Sequence, residues 1–233
     1  MTKLLLVGHG RMGRLVEALA PEYGFEVTGR LSASSLAADE PLDAGRCGGA
    51  EVAVDFSTAA AVVANVPRLA ALGIDVVVGT TGWQAEEPRI RAAIEAAGVG
   101  AVIAPNFSMG VALFEMVVER AACLFAVHER FGAWIHELHH AAKRDAPSGT
   151  ALALARAMAR SGYARPIDVA STRAGSIPGT HTVGFDGPAE TVTLAHATRD
   201  RSTFARGALE AARWVRGRRG WFTIRDVLGL PGA

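Results

Sequence analysis

The chain has 233 residues, half of them hydrophobic and a fifth charged, with a formal net charge of +1. That length can bury a substantial core in one or two domains, and the balance of charge gives no electrostatic reason to expect nucleic acid or an anionic membrane as partner. No apolar run is long enough to span a bilayer, no charged–apolar–cleavage pattern opens the chain, and Cys47 and Cys123 show neither metal spacing nor a disulfide framework, so the expectation is a cytoplasmic, reducing setting and no metal.

Residues 3–7 form a compact apolar strand, followed at once by Gly8-His9-Gly10-Arg11-Met12-Gly13 and a helix over 14–20. This is G-x-G-x-x-G in the strand–turn–helix setting that gives the motif meaning, with glycines that let backbone approach a pyrophosphate and let helix pack on strand. The second strand, 26–31, runs into Arg30-Leu31-Ser32-Ala33-Ser34-Ser35, with no carboxylate before Asp39. A site for NAD alone usually places an acid there for the ribose 2′-hydroxyl, whereas Arg30 and Ser32 suit a 2′-phosphate, so the reading leans to NADPH, with NADH also open.

Residues 36–50 read as a short loop or broken helix, and 51–56 as a third strand ending in Asp55-Phe56-Ser57-Thr58. A helix over 58–72 should be kinked or split at Pro67. Strand 74–78 is β-branched, as a buried parallel strand should be, and ends in Gly79-Thr80-Thr81-Gly82. A helix over 86–97 and a strand over 99–104 follow, then Pro105-Asn106-Phe107-Ser108. This alternation argues for an α/β, doubly wound parallel sheet that takes ligands at its strands' carboxyl ends.

Helix 111–127 is apolar nearly all round and is expected to be buried between domains. In strand 134–139, Trp134, His136 and Leu138 face one way and Ile135, Glu137 and His139 the other. Helix 151–160 starts behind Pro147, with Ser148 or Asp145 able to cap it, and such a start suits a carboxylate or phosphate. His139 and His140 can move protons near neutral pH, though only one of the two need be chemical. Of the 24 Lys and Arg residues only Lys3 and Lys143 are Lys. A chain that prefers Arg wherever a generic cation will do points to Lys143 as a group that must also give up a proton. Residues 168–172, 181–185 and 190–197 read as strands of a small mixed or antiparallel sheet built on 134–139. Arg173-Ala174-Gly175, with His181, is placed in a loop between two of them; His196 reads as structural. A helix over 204–216 is followed by 220–230, which can return to the first domain.

The stretch 137–150 reads E-x-H-H-x-x-K-x-D-x-P-S-G-T, and with Gly79-Thr80-Thr81-Gly82, Asn106-Phe107-Ser108 and Arg173-Ala174-Gly175 it resembles the 4-hydroxy-tetrahydrodipicolinate (dihydrodipicolinate) reductase family of lysine biosynthesis. The resemblance runs through most of the chain. It implies a Rossmann-like cofactor domain, 1–106 with 205–233, interrupted by an α+β domain, 107–204, that binds substrate and makes the contacts of a homotetramer. It further implies His139 as proton donor and Lys143 as second acid and anion-binding cation. His140, Gly149 and Thr150, beside Ser148, would hold a cyclic dicarboxylate, while Gly79, Thr80 and Thr81, and Ala104, Pro105, Asn106 and Phe107, would line the nicotinamide of NADPH or NADH. The position near Ser32, acidic in many NADH-using members, is not acidic here. Two other readings are a semialdehyde-dehydrogenase type, which needs a reactive cysteine in a suitable motif, and a nucleotide-sensing protein, which leaves the His-His-Lys loop without a use.

Overall fold

The computed structural model describes residues 1–32 and 42–230, so Ala33, Ser34, Ser35 and the first part, 36–41, of the loop expected over 36–50 lie outside the described residues. In chain order the elements begin with β1 (Thr2–Val7), α1 (Arg11–Leu19), β2 (Phe25–Leu31), β3 (Val52–Asp55), α2 (Ala59–Ala71), β4 (Asp75–Val78), α3 (Glu87–Ala97) and β5 (Gly100–Ile103). They continue with α4 (Met109–Ala126), β6 (Gly132–His139), α5 (Gly149–Arg160), β7 (Ile167–Arg173), β8 (Thr180–Asp186), β9 (Thr191–Ala197), α6 (Ser202–Val215), β10 (Gly220–Phe222) and α7 (Ile224–Val227). Two compact units result, Met1–Met109 with Ser202–Ala233, and Gly110–Arg201.

The first unit holds a parallel sheet in the order β10-β5-β4-β3-β1-β2. Both faces are covered, which is why β3, β4 and β5 read as apolar runs rather than alternating ones. One face packs on α2 and α3 through Val62, Val66, Leu69, Ile90 and Ile94. The other packs on α1 and α6 through Val16, Ala208, Leu209 and Ala212. The strand order reverses between β1 and β3, whose ends Val7 and Asp55 are register partners. Such a switch point is where doubly wound sheets take their ligands.

Pro67 neither splits α2 nor shortens it. A proline deprives the carbonyl four residues back of its helical partner, here Val63, and that oxygen instead accepts Arg89 Nη2 at 3.2 Å.

In the second unit the sheet order is β7-β6-β8-β9, with β7 parallel and β8 antiparallel to β6. Helices α4 and α5 cover one face, through Phe114, Val118, Leu154 and Met158 against Ile135, Val183 and Phe185. Helix α4, expected to be buried between domains, keeps an exposed apolar side. It packs on a single sheet face, so Phe114, Val118 and Ala122 point inward while Leu113, Val117 and Leu124 stay exposed. His181, read both as the first residue of a strand over 181–185 and with the loop before it, lies within β8 as the strand reading has it.

Candidate active site

In the first unit two glycines of the turn after β1, Gly8 and Gly13, have a steric reason and Gly10 a different one. Gly8 has φ +89°, and a Cβ there would sit 2.5 Å from the Phe56 carbonyl oxygen; one on Gly13 would sit 2.1 Å from the Gly8 oxygen. A Cβ on Gly10 would meet nothing within 4 Å, and Gly10 caps α1 with no side chain over the first amides. Open ground in front of uncapped N–H groups fits a nucleotide's pyrophosphate. Arg11 is exposed at the helix start, and Met12 packs into the core.

His9 and Arg30 do not stand free. Both hold Glu17 of α1: Arg30 Nε donates to its Oε1 at 2.9 Å, Arg30 Nη2 makes a second contact to the same oxygen, and His9 Nε2 lies 2.5 Å from Oε2. Arg30, aided by His9, holds the Glu17 carboxyl down to about 2. Ser32 is half-buried at the end of β2.

At the carboxyl ends of β3 and β4, buried Asp55 accepts three hydrogen bonds on Oδ1, from Ser57 N (2.9 Å), Ser57 Oγ (2.7 Å) and Thr80 Oγ1 (2.7 Å). Its Oδ2 is buried without a partner, and burial pushes its pKa up against those bonds. Thr80 is further fixed by the Trp83 indole, which donates to its carbonyl at 2.7 Å, while Thr81 beside it is exposed. A Cβ on Gly79 would lie 2.1 Å from the Phe56 ring, and that ring meets Phe107 edge-on at 6.1 Å. Ala104 and Phe107 are buried, Pro105 is exposed, and Asn106 Oδ1 accepts Ser108 N at 2.8 Å. The segments expected at a nicotinamide thus converge around Phe56, with an unused carboxylate oxygen beside them, and they fit that group.

In the second unit the site grows from strand register. His139 on β6 pairs with Arg173 on β7, and Glu137 pairs with His181 on β8. Alternation sends Glu137 and His139 to the same buried side. Glu137 is fully buried and accepts Arg173 Nη1 on Oε2 at 3.0 Å, Arg173 Nη2 on Oε1 at 2.6 Å, and Ser148 N on Oε1 at 3.2 Å. It also bonds His139 Nδ1. Burial works to raise the Glu137 pKa, but Arg173, Ser171 and His139 outweigh it and hold the carboxyl at about 2. Burial lowers the His139 pKa, opposed by Glu137. With Nδ1 committed, the other nitrogen, Nε2, is left for chemistry; a Cβ on Gly179 (φ +142°) would stand 3.1 Å from it.

Ser148 is the cap of α5. It is buried, its Oγ accepts Ala151 N at 3.2 Å, and its hydroxyl pairs with His181 Nε2 at 3.0 Å. Burial, then the charge of His139, brings the His181 pKa down to about 4. Gly149 and Thr150 open α5, and His140 is half-buried at the end of the strand. Lys143 Nζ donates to both oxygens of Asp145, at 2.7 and 2.8 Å. The expected anion cradle is therefore held by a carboxylate of the chain itself. Glu137, His139 and His181 bring potential metal ligands within 4.8 Å of one another, but both Glu137 oxygens already carry guanidinium and other donors.

Four residues at work here were given no role in the sequence reading. Arg173 and His181 join the site only through cross-strand register, which one sequence does not display. Glu137 could have been found: an acid two residues before a histidine, on the buried side of the same strand, needs a partner. Glu17 gave no signal beyond being on a helix after the glycines.

A family model described as "Dihydrodipicolinate reductase, N-terminus" matches residues 2–107, and one described as "Dihydrodipicolinate reductase, C-terminus" matches residues 110–228. A 4-hydroxy-tetrahydrodipicolinate reductase of Thiobacillus denitrificans is 39% identical over 258 residues, covering 95% of this chain and 96% of that relative. One of Anaeromyxobacter sp. is 37% identical over 261 residues, covering 96% of each. Among solved structures, a dipicolinate-bound dihydrodipicolinate reductase from Paenisporosarcina sp. TG-14 shares the fold, with a TM-score of 0.81 at 20% identity, covering 96% of this chain and 97% of that one.

Proposed function

Because the chain belongs to the dihydrodipicolinate reductase family, we propose that it is a 4-hydroxy-tetrahydrodipicolinate reductase, forming tetrahydrodipicolinate by way of dihydrodipicolinate in lysine and diaminopimelate biosynthesis. A reduced nicotinamide nucleotide, NADH or NADPH, supplies the hydride. The chain's own residues supply the proton and hold the ring. The observation that carries this reading is the buried Glu137, clamped by Arg173, which ties down one nitrogen of His139 and leaves the other to transfer a proton.

Burial keeps the resting His139 neutral near pH 7. A dianionic ring beside Nε2 favours the imidazolium, which then protonates the carbon next to the one reduced; Lys143 is the second acid. Lys143 exchanges Asp145 for a substrate carboxylate, and the amides of Gly149 and Thr150, with His140, take up the remaining negative charge. Cys47 is buried with its thiol pushed up by burial, which disfavours the semialdehyde-dehydrogenase reading.

The test is loss of dihydronicotinamide absorbance when the dihydrodipicolinate-forming enzyme supplies substrate. No loss with either coenzyme and folded protein refutes the proposal. Loss without that substrate favours another oxidoreductase, and nucleotide binding without turnover favours a sensor.

A cytoplasmic homotetramer accompanies this reading. The second unit's sheet is covered by helices on one face only; on the other, Trp134 lies across Gly184, and Thr193, Ala195 and Ala197 of β9 are exposed. A solution mass of four chains is expected by light scattering, and a concentration-independent single-chain mass would refute the assembly.

A further inference from the structure

At the adenosine end of the nucleotide site, β2 finishes in Arg30-Leu31-Ser32 without the acid that usually holds a ribose 2′-hydroxyl. The structure returns a carboxylate to that corner from another element. Glu17, on the second turn of α1, reaches back to β2 and takes Arg30 by Nε and Nη2 on one oxygen and His9 Nε2 on the other. His9 belongs to the glycine turn itself, and Arg30 is the penultimate residue of β2. The three side chains therefore lie between the pyrophosphate turn and the strand end, where a dinucleotide's adenosine ribose runs.

We propose that Glu17 is the coenzyme selector of this enzyme, neutralising Arg30 and presenting a carboxylate where a 2′-phosphate would have to sit, so that NADH is bound in preference to NADPH. This rests on the coenzyme reading above and reverses the preference expected from the sequence. A 2′-phosphate approaching this corner meets a guanidinium already paired and an anion beside it. A free 2′-hydroxyl brings no negative charge to be repelled and can donate to the carboxylate. Arg11, exposed at the start of α1, belongs to the glycine turn that suits the pyrophosphate common to both coenzymes, so it is not assigned to the selection.

The experiment is titration of NADH and NADPH by dihydronicotinamide fluorescence or calorimetry against the wild type, Glu17→Gln and Arg30→Met. Wild type should bind NADH the more tightly. Glu17→Gln, which frees the guanidinium, should lower the ratio of the NADPH to the NADH dissociation constant by about tenfold, the effect of one charge contact near a protein surface. Arg30→Met, which leaves the carboxylate unneutralised, should raise the same ratio. Opposite movements of one ratio are the signature, since a merely structural role would weaken both coenzymes together. A ratio unchanged in Glu17→Gln, or moved the same way in both variants, overturns the selector. If the folded wild type binds neither coenzyme, the coenzyme reading itself falls.

Discussion

Replacing His139 by Gln is expected to lower kcat by about 10²–10⁴-fold, the usual contribution of a positioned general acid, while leaving the dissociation constants of NADH and NADPH unchanged. The split follows from where the residue sits. His139 belongs to the Gly110–Arg201 unit, whereas the glycine turn, Thr80 and Phe107 belong to the other. Gln keeps roughly the length of the side chain but has no nitrogen that can pass a proton. Substrate saturation should change less than turnover, because the proposed carboxylate contacts, Lys143 and the amides at the start of α5, are untouched by the substitution. Stopped-flow single turnovers with each coenzyme, beside equilibrium titrations, separate the two quantities. Turnover within about threefold of wild type would remove His139 from the proton transfer.

The legible and illegible parts of this molecule divide along a physical line. Periodicity and turn chemistry act over a few residues, and they located β1 with its glycine turn, the alternation that buries both Glu137 and His139, and the cap at Ser148. Interactions set by register or by the approach of distant elements left no such trace. Pro67 looked like a break because a single sequence does not reveal that Arg89, on α3, will satisfy the stranded Val63 carbonyl. Helix α4 looked buried because its composition is apolar; which side meets the sheet became visible only with Phe114 and Val118 packed and Leu113 and Val117 exposed. Arg30 looked like a free cation because Glu17 is thirteen residues away in the chain yet touches it in space. The same limit hid Asp145: its capping ability was legible, its hold on Lys143 was not.

The second large effect is expected at Glu137. The side chain is fully buried, and its charge is matched by Arg173 and shared with His139. Glu137→Gln leaves that guanidinium without its counter-charge in a largely buried place, and removing one partner of a buried pair costs about 3–5 kcal/mol. Urea unfolding at neutral pH should show a loss of that order. The pH dependence fixes the cause. Glu137 has a folded pKa of about 2 against 4.5 ordinarily, so its contribution is complete above pH 4.5 and is lost as pH falls from there through 2. His181 is depressed to about 4 from 6.5 by burial, so the unfolded chain protonates first and stability also declines from pH 6.5 to 4. The two windows barely overlap. Glu137→Gln should shrink the lower one, to which Glu17 also contributes, and keep the upper one, and it should cut kcat by about 10²-fold because Gln no longer fixes the tautomer and charge of His139. A variant that unfolds within about 1 kcal/mol of wild type, or whose loss between pH 4.5 and 2 is as large as that of wild type, would show that Arg173 and His139 are held by something other than this carboxylate.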